Sequence, residues 1–147
     1  AGGGAVAEGY NTIQFAGVGT DYQVHKDIAE MYKKQGKQPP KEMASSVYYN
    51  RGLFHMAVHV EAIRNALKAK GGGAITGADV KEGFEKIKGV TLGGLMPPME
   101  LTPTDHEGGG WVQIFTVKGG KLTKGSDWFR AYPDVIKKHI ELDAKKS

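Results

Sequence analysis

The sequence lacks cysteine altogether, so disulfides and thiolate chemistry are excluded. That absence fits an exported and a cytosolic protein equally well. No stretch approaches the roughly 18 consecutive apolar residues of a membrane-spanning helix, and the first residues do not form a signal peptide. The sequence begins abruptly at Ala1, as we would expect of a processed or truncated product.

Blocks of like charge are also missing. The 20 Lys and Arg residues outnumber the 16 Asp and Glu residues only slightly, for a net charge of +4, and the lysines are spread along the whole chain. We therefore expect solvated helix faces and no nucleic-acid partner. With 147 residues, 39% of them apolar, the chain is long enough for one globular domain with one core.

Glycine, in contrast, is abundant, with 22 residues. It clusters at residues 2–4, 71–73 and 108–110, and such clusters separate elements of secondary structure. Hydrophobic periodicity between the clusters predicts four helices and three short strands. The predicted helices are 21–35 (capped by Asp21, ended by Gly36), 45–70, 76–89 (opened by a Thr76–Asp79 capping box) and a last one from Pro133. The predicted strands are 10–15 and a hairpin of 111–117 with 121–123.

Three short strands are too few to cover the apolar faces of four helices. The first strand is also separated from the second by about ninety residues, more than a single crossover needs. We therefore predict an α/β fold whose helices pack on sheets completed by residues outside this chain. The long helix shows the problem most clearly, because it carries a continuous apolar stripe of Leu53, Met56, Ala57, Val60, Ile63 and Leu67.

Two motifs resemble known binding patterns but are incomplete. His55 and His59 have the spacing that places two imidazoles on one helix face, yet Met56 stands where a zinc hydrolase needs its general-base Glu, and no third ligand is evident. Gly17-Val-Gly19 follows a strand as a dinucleotide fingerprint does, but Tyr22 occupies the third glycine position. A helix face and a turn are the better interpretations.

Asp105 and His106 stand side by side before three glycines. Neighbouring side chains in an extended or turn segment point apart, so they do not form an acid–base couple, and no third group that would orient the histidine can be named. The composition is typical of a turn in which the aspartate accepts local backbone N–H groups.

Residues 45–52 gather two serines, Tyr48, Tyr49, Asn50 and Arg51 at the start of the long helix, whose free N–H groups favour anions. One interpretation is a small carboxylate held by N–H donors and an aromatic wall. The other is that one tyrosine lies in the core, the other on the surface, and the serines only cap the helix. The residues alone leave both open.

The order of these segments resembles a known family. "YKKQGKQPP", "SVYYNRGLFHMAVHVEAIRNALKAKG", "ITGADVKEGFEKIKG" and "PPMELTPTDHEGGGWVQIFTVKGGK" follow one another as in the C-terminal portion of ABC-transporter solute-binding proteins of the branched-chain amino acid type. The resemblance covers essentially the whole chain but less than half of a family member. It implies the class I periplasmic-binding fold, in which three crossing strands join two lobes and the solute is trapped between them.

The resemblance divides the chain into three segments. Residues 1–18 would be a strand of the second lobe, residues 19–102 the helical part of the first lobe, and residues 103–147 the hinge return, hairpin and last helix of the second lobe. The residues that the resemblance implies for ligand binding are Tyr48, Tyr49, Asn50, Gly19 and Thr20, and for the hinge Gly17, Thr104 and Asp105.

The expected function is therefore that of a non-enzymatic, periplasmic or otherwise extracytoplasmic solute-binding component of an ABC importer, present as a C-terminal fragment. Its ligand would be an amino acid or a small organic acid, and the tyrosine-rich helix start favours aromatic ones. The implied partners are that solute, a membrane permease and the N-terminal portion of the same protein, with no cofactor or metal. The alternatives are a ligand-sensing regulator of the same fold and a metalloenzyme built on His55, His59 and another histidine.

Overall fold

The computed structural model describes residues 4–108 and 110–144. Parts of the glycine clusters 2–4 and 108–110, and the outer ends of the predicted segments 1–18 and 103–147, lie outside the described residues. The helices are α1 (Gln23–Lys34), α2 (Glu42–Ser45), α3 (Val47–Ala69), α4 (Gly77–Phe84) and α5 (Pro133–Ala144), and the strands are β1 (Asn11–Gln14), β2 (Trp111–Lys118), β3 (Lys121–Lys124) and β4 (Phe129–Arg130). The predicted α/β class is confirmed.

The strands form one antiparallel sheet around β2, which pairs with β1, β3 and β4. The β2–β3 hairpin was predicted, whereas β4, with only two residues, is too short to show an alternating pattern. β1 and β2 are direct neighbours, with Ile13 opposite Ile114, although α1 to α4 lie between them in sequence. The chain thus leaves this sheet after β1 and returns to it at β2.

The two faces of the sheet differ in burial. Gln14 lies opposite Gln113, and Phe115 projects to the same face two residues further along β2. These three side chains are buried. Ile13 projects to the other face and is 64% exposed. The described residues therefore cover one face of the sheet and leave apolar surface on the other.

The helical part of the chain packs around the contact of α3 with α4. The two helices can approach closely because Gly83 has no side chain. A side chain there would overlap the backbone carbonyl of Ala62, which is fully buried. The segment after α4 completes a small core consisting of Ala62, Ile87, Leu95, Met96, Met99 and Leu101.

The apolar stripe predicted on the long helix splits into two parts. Leu53 and Ala57 pack against the core. The remaining four side chains are between 37% and 61% exposed, and they are Met56, Val60, Ile63 and Leu67. The described residues do not cover this surface, which we call the exposed α3 stripe.

Helix ends show which local signals were interpreted correctly. Gly36 and Gly71 end α1 and α3 with positive φ angles of 66° and 62°, and Thr76 and Asp79 form the predicted capping box. Asp21 as the cap of α1 was wrong, because the N-cap residue is Tyr22, whose side chain makes no capping hydrogen bond.

Two predicted helix boundaries also need correction. The long helix begins at Val47, after the separate short helix α2. The helix predicted to reach Gly89 ends at Phe84, because the backbone beyond it pairs with another segment: Leu101 donates to Ile87 and Gly89 donates to Met99. None of the described helices is both long and apolar enough to cross a bilayer.

Candidate functional site

Residues 17–21, which we call the first crossing, carry the chain from β1 in the sheet to α1 in the helical part. The start of this crossing is fixed by the Gly17 N–H, which donates to the Leu95 carbonyl at 2.8 Å. The Tyr22 ring lies directly over Gly17, where a side chain would overlap it. Gly19 has a φ angle of 89°, a conformation that favours glycine. Glycine is therefore required here for two different reasons, close approach and backbone geometry.

Asn50, in the first turn of α3, holds this crossing in place. Its side-chain Nδ2 donates to the carbonyl oxygens of Gly17 and Gly19, at 2.8 Å each. Its Oδ1 lies 2.7 Å from Nε2 of His25 in α1. Asn50 and His25 are each only 2% exposed. The start of α3, the first crossing and α1 are thereby joined through one buried amide.

Two aromatic rings lie beside His25 of this buried pair. The centre of the His25 ring lies 5.8 Å from the ring centre of Tyr22 and 6.3 Å from that of Tyr49. Burial raises the pKa of both the Tyr22 and the Tyr49 hydroxyls; nearby Lys124 opposes the shift at Tyr22, and Tyr32 adds to that at Tyr49. Both phenols are therefore neutral at neutral pH and can donate hydrogen bonds.

Arg51 connects the start of α3 to the end of β1. Its guanidinium carbon lies 4.9 Å from the ring centre of Phe15 and 5.0 Å from that of Tyr48. One guanidinium nitrogen, Nη2, donates to Oε1 of Gln14 at 3.0 Å. Tyr48 is 72% exposed, so this group forms a cationic, aromatic surface beside the first crossing. Among the described residues, no carboxylate forms a salt bridge with Arg51.

Residues 101–106, which we call the second crossing, return the chain from the helical part toward β2 in the sheet. Thr102 and Asp105 exchange two backbone hydrogen bonds, and the Asp105 carboxylate accepts from the N–H groups of Glu107 and Gly108. His106 instead pairs with Glu85, 3.0 Å away. The prediction of a turn in which Asp105 and His106 point apart is confirmed.

The two histidines of α3, His55 and His59, have separate environments. Nδ1 of His59 lies 2.8 Å from the backbone oxygen of His55, and the His59 ring packs against Phe84. The His55 ring contacts Phe15 and Phe54 instead. Within residues 4–108 and 110–144, no group of three His, Cys, Asp or Glu side chains is placed to hold a metal ion.

A cavity of about 260 Å³ lies between the sheet and the helices. Its walls come from both parts of the molecule and are mainly apolar, with Phe15, Phe54, His55, Met99, Glu107 and Trp111 among the lining residues. Sequence patterns did not indicate this cavity, because its walls come from the residue after β1, from α3 and from the segments on either side of the second crossing. The alternation that placed Phe15 at the end of a strand was the only available signal.

The structure groups the predicted site residues unevenly. Gly17, Gly19 and Asn50 form one hydrogen-bonded unit, and Tyr49 lies beside it. Tyr48 belongs to the Arg51 surface, and Thr20 is half-buried in the first crossing. Thr104 and Asp105 form a separate turn at the second crossing. Their roles in ligand binding and hinge motion remain predictions.

Comparison with known proteins adds structural relatives. No protein-family model matches the chain, and no protein of curated function does. A crystal structure of an ABC transporter permease from the Pseudomonas fluorescens group is 32% identical, with a TM-score of 0.84, over 97% of this chain and 37% of that chain. A branched-chain amino acid ABC transporter from Thermus thermophilus with bound valine is 23% identical, with a TM-score of 0.72, over 92% of this chain and 37% of that one.

These similarities relate the fold of the chain to part of larger ABC-transporter proteins. The chain spans 37% of the length of each of the two solved chains. The α/β fold predicted from the sequence is similar to part of the valine-bound Thermus protein.

Proposed function

We propose that this chain is the C-terminal portion of an extracytoplasmic solute-binding protein of an ABC importer. Its solutes would be amino acids or small organic carboxylic acids, aromatic ones included, and it would catalyse no reaction. The observation that carries the proposal is the match of 97% of the chain, at a TM-score of 0.84, to a protein of ABC transport. The valine in the second relative favours a solute-binding role within such a system.

The arrangement of the molecule suits this function. A helical part and a sheet are linked by the two crossings, so a change in backbone angles at residues 17–21 and 101–106 would change their relative position. Tyr48, Tyr49, Gly19 and Thr20 lie at or beside the first crossing. A solute contacting both parts would favour the closed arrangement, and a permease would recognise that shifted population.

The uncovered apolar surfaces are consistent with the same proposal. The exposed α3 stripe and the Ile13 face of the sheet would be covered by the N-terminal portion of the protein. Burial of such side chains stabilises a fold by about 2 kcal/mol each. The chain would then be part of one larger fold.

A thermal denaturation screen of the full-length protein tests the proposal. Valine, leucine, phenylalanine and benzoate are added separately, and a hit is measured by titration calorimetry. We expect at least one solute to raise the melting temperature, because a ligand that binds only the folded state stabilises it. Valinamide and benzamide, which lack the carboxylate, serve as matched controls.

Two further outcomes would favour the alternatives. Stoichiometric zinc in the purified protein, lost in a His59→Ala variant, would support a metalloenzyme. Solute binding by a protein encoded without an export signal would support a cytosolic regulator of the same fold. A protein that binds none of the solutes and no zinc would contradict the proposed function.

A further inference from the structure

We infer that Asn50 and His25 are a positioning pair that sets the conformation of the first crossing, and that Asn50 does not itself contact the solute. The inference rests on the proposed function for its effect on solute affinity, but its structural part can be tested separately. It also reassigns Asn50, which sequence resemblance placed among the ligand-binding residues.

The hydrogen bonds of Asn50 determine the orientation of its amide. Two carbonyl oxygens, those of Gly17 and Gly19, lie 2.8 Å from one end of the side chain. Carbonyl oxygens only accept, so the amide nitrogen must be at that end, and each of its two hydrogens has one partner. A reversed amide would place its oxygen against two other oxygens.

This orientation also determines the tautomer of His25. The amide oxygen faces His25 Nε2 at 2.7 Å and can only accept. His25 must therefore carry a hydrogen on Nε2, and in the neutral ring Nδ1 is the bare nitrogen. Nδ1 is buried and has no hydrogen-bond partner among the described residues, which agrees with that assignment.

The pair leaves the Asn50 side chain without a free donor for a solute. Both donors and the oxygen are used within the chain, and the residue is only 2% exposed. What Asn50 can control is the path of the crossing, since it holds two carbonyls that are two residues apart. The affected groups are Gly19 and Thr20, together with the neighbouring Tyr48 and Tyr49 on α3.

Two substitutions in the full-length protein test the role of the pair. Asn50→Asp keeps the shape but faces a carboxylate oxygen toward two carbonyls, and His25→Leu removes the donor to Asn50. Each leaves buried polar groups unsatisfied. We expect each to weaken solute binding by about tenfold or more, equivalent to about 1.4 kcal/mol. His25→Gln restores a donor at a similar reach and should recover most of the affinity.

Asn65→Asp is the matched control for a purely structural loss. Asn65 is on the same helix, and its amide also donates to a glycine carbonyl, that of Gly83, at 3.1 Å, but it lies away from the crossing. We expect this variant to lower stability with little change in solute affinity. Equal losses of affinity in the Asn65 and Asn50 variants would overturn the positioning role.

Two measurements do not depend on a solute. Nitrogen NMR of the His25 ring should show a protonated Nε2 and an unprotonated Nδ1; the opposite tautomer would overturn the inference. Hydrogen exchange at the Gly17 amide should become faster in Asn50→Asp, whereas exchange at Gly125, which donates to Ile114 at 2.8 Å, should not change. Unchanged exchange at Gly17 would contradict the pair's role.

These readouts separate the two proposals. If the wild-type protein binds no solute but the tautomer and the exchange pattern are as expected, the proposed function fails and the positioning pair stands. If solutes bind but His25→Gln and His25→Leu lose affinity equally, the inference fails and the proposed function stands.

Discussion

The two sides of α3 show how differently one helix can be used. One side packs against α4, where Gly83 permits contact with the fully buried Ala62. Another side carries the exposed α3 stripe, whose members are equally apolar but uncovered by the described residues. Hydrophobicity alone therefore does not identify which side of a helix the described residues bury.

The packed side should be the more sensitive to added volume. Gly83→Ala would drive a methyl group into the Ala62 backbone, so we expect a loss of about 3 kcal/mol in the free energy of unfolding. Urea denaturation of the full-length protein measures this loss. Gly52→Ala is the control: apart from the backbone of its own helix and its chain neighbours, none of the described residues comes within 4 Å of a side chain there, and the change should stabilise α3 by about 0.5–1 kcal/mol. Similar effects at both glycines would contradict the close packing of α3 on α4.

The exposed α3 stripe tests whether outside residues cover this helix. If the rest of the protein buries it, Ile63→Ser in the full-length protein should cost about 2 kcal/mol, as in a core. Arg64→Ser, one position away and 73% exposed in its side chain, should change stability by less than about 0.5 kcal/mol. Equal, small effects by chemical denaturation would show that the stripe is solvent-exposed in the whole protein.

The start of α3 is held by a mixture of charge and aromatic contact. Arg51→Met keeps an unbranched apolar stem but removes the cation between Phe15 and Tyr48 and the bond to Gln14. We expect a loss of about 1 kcal/mol in unfolding free energy. A double-mutant cycle with Phe15→Leu measures the stacking contribution, and additive losses would show that the ring contact contributes nothing.

Removing the carboxylate that caps α4 should have the smallest effect on stability, and this effect should be visible as a change in the pH dependence of the melting temperature. Hydrogen bonds from the side chain and backbone of Thr76, together with Lys70, lower the pKa of Asp79 from 3.8 to about 2. Because the folded pKa is depressed, the stabilisation is fully present above pH 3.8 and is lost as the pH falls toward 2. Asp79→Asn should flatten that part of the curve of melting temperature against pH; an unchanged curve would exclude the cap as its cause.

Local signals in the sequence predicted most of the elements. Periodicity placed α1, α3, β1 and the hairpin, and the Thr76–Asp79 spacing identified a cap that the structure contains. The end of α4 was predicted wrongly because a distant segment decides it. The backbone beyond α4 pairs with residues around Leu101, and no local pattern records that pairing.

The candidate site also has one part that the sequence predicted and one that it did not. The turn at Asp105 was predictable because its partners, Glu107 and Gly108, are close in sequence. The hydrogen-bonded unit around Asn50, which includes His25, Gly17 and Gly19, was not predictable. Asn50 donates to carbonyls that are 33 and 31 residues away in the sequence. The amide looked available for a ligand until the fold showed that its hydrogen bonds are made within the chain.

The sequence by itself determined the α/β class, the positions of helices and turns and the shortage of strands, because each depends on local periodicity and composition. Only the tertiary structure decided which apolar side of α3 is buried, that His106 pairs with Glu85, and which segments Asn50 joins. Such contacts depend on three-dimensional proximity between residues far apart in the chain, and a linear pattern does not contain that distance.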